Sequence, residues 1–283
     1  MSVLPDDPLP VDVLIPTAFR PGPLAVTLAG LLGQGTRFRL VVSDQTEGSP
    51  AYDAGEAAAV LRVLRLRGVE IELHWRPERQ GIAEQRDFLL SRARADHVLF
   101  LDDDVLLEPG ALPRMTDAIH ELQCGFVGMA ASGLTHLDDV RPHEQEAFEL
   151  WDGKALPERV RKGMPEWERW RLHNAANVVH LAERVDVPPR GWVAYKVNWI
   201  AACVLFRTEA LRAVGGYGFW RELGVNGAGE DVAVQLLVME RFGGAGLLPS
   251  GAHHLQVETT LPDRETDGYA LVVEAADAAA GAY

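Results

Sequence analysis

Two rhythms of apolar residues alternate along the first hundred positions. Short apolar runs at 11–15 and 38–43, and an alternation of apolar and polar residues at 69–75, read as strands. Each is followed by a stretch with apolar residues at helical spacing, over 24–32, 55–67 and 81–95. Pro21, Gly22 and Pro23 predict an open loop before the first helix. Val98, Leu99, Phe100 and Leu101 form a fourth run with neither alternation nor helical period, the pattern of a strand buried on both faces of a parallel sheet. Strands alternating with helices predict βαβ units and an α/β fold with a mostly parallel central sheet.

Beyond that strand, the spacing predicts a helix from Pro109 to Gln123 and a short apolar strand over 125–131. Residues 135–190 then turn polar and carry Trp151, Trp167 and Trp170, which reads as an insertion whose clearest helix spans 166–183. Its tryptophans either close over a substrate or glue the insertion to the core. A strand is expected over 197–206, then a helix over 208–214 ended by Gly215 and Gly216. A Gly-rich loop at 224–229 delivers Glu230 and Asp231 to the start of a helix over 232–242. A last short strand at 246–248 precedes His253 and His254, and after Arg264 an Ala-rich acidic segment reads as a helix with a frayed end. There is no internal repeat and no long linker, so 1–264 reads as one domain and 265–283 as a tail.

Composition narrows the function classes. In 283 residues, Asp and Glu outnumber Lys and Arg by 41 to 27, a net charge of −14. That sign argues against a nucleic-acid partner and gives no support for binding an anionic membrane. Only two cysteines occur, Cys124 and Cys203, both in apolar surroundings, so they read as buried thiols of a reducing compartment. No apolar run reaches the ~18 residues of a transmembrane helix. Residues 1–10 lack the basic and apolar regions of a signal peptide, and a cytoplasmic location is expected.

The candidate chemistry begins where the fourth strand runs into Asp102, Asp103 and Asp104. Ligands of open α/β sheets bind at the carboxyl ends of the strands. Three adjacent carboxylates repel one another, and a divalent cation completed by substrate phosphates would relieve them. The alternative is an acidic turn capping the next helix. Glu230 and Asp231 likewise read either as site carboxylates or as a plain helix N-terminus.

In order along the chain, these motifs resemble the family-two inverting glycosyltransferases of the GT-A fold. Val13-Leu14-Ile15-Pro16-Thr17-Ala18-Phe19-Arg20-Pro21 looks like the opening strand and loop of that family. Val41-Val42-Ser43-Asp44 is similar to its second strand, with Ser43-Asp44 where a double Asp is usual. Arg86-Asp87 resembles its Arg-Asn pair, with Asp87 in place of Asn. Phe100-Leu101-Asp102-Asp103-Asp104 matches its Asp-x-Asp motif. Ala201-Ala202-Cys203-Val204-Leu205-Phe206-Arg207, Val214-Gly215-Gly216-Tyr217 and Gly229-Glu230-Asp231-Val232 match the acceptor-side block.

The resemblance implies a Rossmann-like donor half over 11–131, a helical insertion or acceptor region over 132–196, and a half over 197–264 with the catalytic base and metal-binding His. It implies Asp231 as general base with Glu230 orienting it or binding the acceptor. Asp102 would lie near the ribose, supported by Asp103, and Asp44 would accept from a pyrimidine N–H. Pro16, Thr17, Arg20 and Arg86 would line the donor cleft. Asp104 would hold Mn²⁺ or Mg²⁺ with His253 or His254, of which only one can face the site on an extended segment. The donor would be a nucleotide sugar, UDP-sugar first, and the acceptor a hydroxyl on a glycan, lipid or small molecule. Two other readings remain: a haloacid-dehalogenase-like phosphohydrolase with Asp102 as nucleophile, and a non-catalytic nucleotide-sugar-binding protein.

Overall fold

The computed structural model describes residues 11–260 and 264–280; the N-terminal stretch read above as lacking a signal peptide lies outside them. The first half follows the predicted alternation: β1 (Val11–Thr17), α1 (Pro21–Gly30), β2 (Arg39–Asp44), α2 (Gly55–Leu66), β3 (Glu70–Trp75), α3 (Ile82–Arg92) and β4 (His97–Leu101). These strands pair in parallel in the order β3-β2-β1-β4. β1, β2 and β4 are buried along their whole length, which accounts for their unbroken apolar runs.

The second half contains β5 (Val105–Leu107), α4 (Ala111–Leu122), β6 (Phe126–Gly128), β7 (Ser132–Gly133), α5 (Asn177–Ala182), β8 (Val193–Tyr195) and β9 (Cys203–Arg207). It continues with α6 (Thr208–Ala213), α7 (Trp220–Leu223), α8 (Glu230–Phe242), β10 (Gly244–Leu248), β11 (Ala252–His254) and α9 (Ala275–Ala280). β9 runs antiparallel between β4 and β6, and β8 runs antiparallel on β10, so the large sheet is mainly but not wholly parallel. Among the described residues it has eight strands, in the order β3-β2-β1-β4-β9-β6-β10-β8. A small sheet, β5-β11-β7, stands beside it.

Apolar side chains fill both faces. Leu24, Leu28, Leu61, Leu64, Leu112, Met115 and Ile119 pack α1, α2 and α4 on one side. Leu89, Leu90, Leu211, Val234, Leu236, Val238 and Met239 pack α3, α6 and α8 on the other. Each large side chain so buried contributes roughly 1.5–3 kcal/mol. The buried apolar face of α8 fixes where Glu230 and Asp231 stand at its first turn.

Several expectations are corrected. Pro21, Gly22 and Pro23 open no loop; they form the first turn of α1, where a missing proline N–H costs nothing. The helix expected over 166–183 is two pieces, a 3₁₀ stretch Pro165–His173 and α5. Between them Asn174 is extended, and its side-chain oxygen accepts from Ala176 N at 3.2 Å in place of a helical carbonyl. The strand expected over 197–206 starts only at Cys203, because Ala202 takes a left-handed φ of 69° and Gln235 binds the backbone of Ile200. The segment after Arg264 is helical as expected, with Tyr269 and Val273 buried against α8, and the expected frayed end, 281–283, lies outside the described residues. Cys124 and Cys203 are buried thiols, both pushed up to about 12 by burial.

Candidate functional site

The turn between β4 and β5 carries the three carboxylates. Its backbone is held at both ends: Asp102 N donates to Ala202 O at 2.9 Å, and Asp104 O accepts from Leu255 N at 2.9 Å. The three side chains go to different partners. Asp102 Oδ1 accepts from Arg86 Nη2 at 2.9 Å. Asp103 accepts from Thr17 Oγ1 at 2.6 Å and Arg20 Nη1 at 3.2 Å. Asp104 Oδ2 accepts from the same Arg20 nitrogen at 2.7 Å and stands 3.7 Å from His254 Nε2. Burial raises the Asp103 carboxyl to about 7 and raises Asp104 as well, despite Arg20. Carboxylates whose charge is this poorly solvated favour an incoming cation.

α3 and α8 bring the second set of groups. Gly81 precedes α3 with a φ of 92°, and a Cβ there would lie 2.7 Å from the carbonyl oxygen of Val225, so glycine lets α3 start against the 224–229 loop. One turn into α3, Arg86 reaches both sides of the cleft, 2.9 Å to Asp102 and 2.9 Å to Glu230. Burial opposes its charge, but Glu230 and Asp102 hold it firmly protonated. Its Nε is buried with no hydrogen-bond partner among the described residues. Burial raises Glu230 and Asp231 above the ordinary carboxylate range, and Arg86 offsets part of that rise.

These groups line one cavity of about 570 Å³ at the carboxyl ends of β1 and β4. Pro16, Thr17, Arg20, Arg86, Asp102, Asp103, Asp104, Glu230, Asp231 and His254 all reach it. A larger hollow of about 700 Å³, near His97 and Arg212 at the opposite end of β4, contains none of the expected site residues.

Two expected residues fall elsewhere. Asp44 is fully buried and does not line the cavity. Its Oδ1 accepts from Thr46 N at 2.8 Å and its Oδ2 from Ala51 N at 2.6 Å, so it shapes the loop after β2. His253 lies on the opposite face of β11 from His254: its Nδ1 is 2.6 Å from Ser132 Oγ and its Nε2 2.8 Å from Glu108 Oε1. The β5–β11 register explains the choice, because His254 pairs with Val105, next to Asp104, while His253 pairs with Leu106.

Sequence reasoning missed other groups at the site. Gln45 Oε1 accepts from Gln80 N and Gly81 N, at 2.9 and 3.2 Å. Gln85 Nε2 donates to Thr17 O and Ser43 O, at 2.9 and 3.0 Å, tying α3 to β1 and β2. Gln235, one turn beyond Asp231, holds Ile200; that spacing was a usable signal. Trp199 and residues of the segment 257–260 also line the cavity.

Among the described residues no three His, Cys, Asp or Glu side chains converge as a metal cage. Asp104 and His254 offer one carboxylate and one imidazole, which fits a cation that takes its remaining ligands from phosphate oxygens and water. Two contacts would have to yield. Arg20 holds the same Asp104 oxygen, and His254 Nδ1 accepts from Gln256 N at 2.8 Å, whereas a ligating imidazole usually donates through its second nitrogen.

The family model described as glycosyl transferase family 2 matches residues 12–179. No curated protein matches the chain. Among solved structures, S. aureus TarS 1–349 is similar, with a TM-score of 0.53 and 14% identity over 86% of this chain and 59% of that one. TarS 1–349 in complex with UDP-GlcNAc gives 0.53 and 14% over 89% of this chain and 60% of the other. A longer TarS structure gives 0.52 and 14%, over 87% and 36%. The chain thus spans about three fifths or less of these neighbours, and at such identity the likeness bears on the fold alone. No helix among the described residues is long and apolar enough to cross a membrane.

Proposed function

The chain belongs to glycosyl transferase family 2, with the GT-A fold, and on that premise we propose that it transfers a sugar, with inversion, from a nucleoside diphosphate sugar to an acceptor hydroxyl. The observation that carries this reading is the facing of two carboxylate groups across one cavity, Asp102 to Asp104 on one side and Glu230 with Asp231 on the other, with Arg86 between them.

The nucleotide lies over the carboxyl ends of β1 and β2, against Pro16, Thr17, Gln45 and Gln85, with Asp44 supporting that wall from beneath. A UDP-sugar is the first donor to try. Asp102 faces the ribose, held by Arg86, and Asp103 keeps Thr17 and Arg20 in place. Arg20 points its guanidinium to where the diphosphate is expected. Asp104 and His254 would hold Mn²⁺ or Mg²⁺, which would neutralise charge on the departing diphosphate.

Asp231 is the general base. It takes the acceptor hydroxyl proton as that oxygen bonds to the anomeric carbon and the bond to the diphosphate oxygen breaks on the opposite face. Burial raises its basicity above that of an ordinary carboxylate, which brings it closer to the operating pH. Glu230, bound to Arg86, positions it.

Incubation with UDP-sugars and Mn²⁺, followed by proton NMR of the anomeric signal, tests the reading. The expected outcome is release of nucleoside diphosphate with the sugar passed, inverted, to an added hydroxyl or slowly to water. Release of inorganic phosphate, retention of configuration, or no turnover with any donor would overturn it.

A further inference from the structure

We infer that the acceptor is a saccharide, seated with the apolar face of one ring against the indole of Trp199; this rests on reading the cavity as a sugar-transfer site. Trp199 lies in the irregular segment between β8 and β9, and it lines the cavity beside Ala201, Asp231 and Val232. β9 flanks β4 on the side away from β1 and β2, so Trp199 stands across the carboxylates from the nucleotide wall.

Its position is fixed relative to the base. Gln235 accepts from Ile200 N and donates to Ile200 O, both at 2.8 Å, one helical turn after Asp231. Asn198 Nδ2 donates to Trp167 O at 2.6 Å. The Trp199 ring packs on Trp167, with centroids 5.4 Å apart, and on His173 at 5.0 Å. Trp167 is backed in turn by Tyr269 at 5.2 Å. A half-buried indole, braced from behind and aimed into a cavity lined by charge, is a flat apolar surface among hydrogen-bond acceptors. A pyranose has the matching form, with C–H bonds on one face and hydroxyls around its rim for Glu230 and Asp231.

Saturation-transfer NMR with UDP and Mn²⁺ present tests this. The probes are methyl β-glucoside, β-galactoside, α-mannoside and β-N-acetylglucosaminide, with 1,6-hexanediol and N-acetylserinamide as hydroxyls that lack a sugar ring. On aromatic irradiation, at least one pyranoside should receive saturation on the C–H protons of one ring face. Trp199→Phe should keep that signal, and Trp199→Leu, which keeps bulk without a π face, should lose about fivefold or more. Thermal stabilisation by UDP should be the same in all three proteins. Transfer to no pyranoside, transfer only to a ring-free hydroxyl, or a signal that survives Trp199→Leu would overturn the inference while UDP binding stands. Failure of UDP to stabilise the wild type would overturn the transferase reading, and this inference with it.

Discussion

Arg39 and Arg86 are both buried, at opposite ends of the same strands, and they meet their carboxylates differently. Arg39 sits on β2 directly across from Asp12 on β1 and binds both its oxygens at 2.9 Å. Its remaining donors go to Glu72 at 2.9 Å and the carbonyl of Arg92 at 2.7 Å. Asp12 also accepts from Arg94 N and Ala95 N. Burial pushes the Asp12 carboxyl up, but these bonds outweigh it and hold it below the ordinary range. Arg86 instead faces Asp102 and Glu230 with Asp231 beside them; one of its nitrogens has no partner among the described residues, and Glu230 and Asp231 stay above the ordinary range. The same buried arginine–carboxylate pairing is structural where donors and acceptors balance. It becomes chemical where carboxylates are left over and open onto a cavity.

Substitutions at the two ends should separate those roles. The largest effect is expected from Asp231→Asn, which should lower turnover about 10³-fold, as for loss of a general base, while UDP affinity stays within a few-fold. Turnover near that of the wild type would remove Asp231 from the mechanism. At the other end, Arg39→Met leaves the buried Asp12 carboxylate without its counter-charge, held only by Arg94 N and Ala95 N, and should cost about 3–5 kcal/mol in urea unfolding, with unchanged turnover per folded molecule. Arg86→Gln should shift the pH profile. Arg86 partly offsets the burial of Asp231, so losing its charge raises that carboxyl further, and the base is active only when deprotonated. The acid limb of kcat/KM should therefore move to higher pH. A limb that stayed in place or moved down would contradict the coupling. The smallest contrast lies on β11. His254→Ala should weaken Mn²⁺-dependent UDP binding about tenfold, whereas His253→Ala should leave it unchanged and cost only about 1 kcal/mol for the lost tie between Ser132 and Glu108.

What could be read from sequence follows the same division. β1, β2 and β4 announce themselves because burial on both faces demands unbroken apolar runs, and α3 and α8 because their periodicity is long enough to see. The carboxylates of the β4–β5 turn and of α8 were legible because a charged cluster at the end of an apolar run is conspicuous. β5, β7, β8 and β11 are two or three residues long, too short for any period, so the small sheet that brings His254 to Asp104 was invisible. With it went the choice between His253 and His254, which depends on register. Asp44 ended a strand at the expected place, but which way its oxygens turn depends on Thr46 and Ala51. Gln235 and Trp199 gained their roles only when α8 folded back beneath the segment before β9.

The most direct test of the central claim is a thermal-shift titration of UDP, with and without Mn²⁺, on the wild type and on Asp104→Asn. If the open end of the sheet is the donor site, UDP at about 100 times its dissociation constant should add roughly 2.7 kcal/mol to the wild type with Mn²⁺. Most of that gain should vanish without the metal or in Asp104→Asn. Equal stabilisation of both proteins regardless of Mn²⁺, or none in either, would contradict the account.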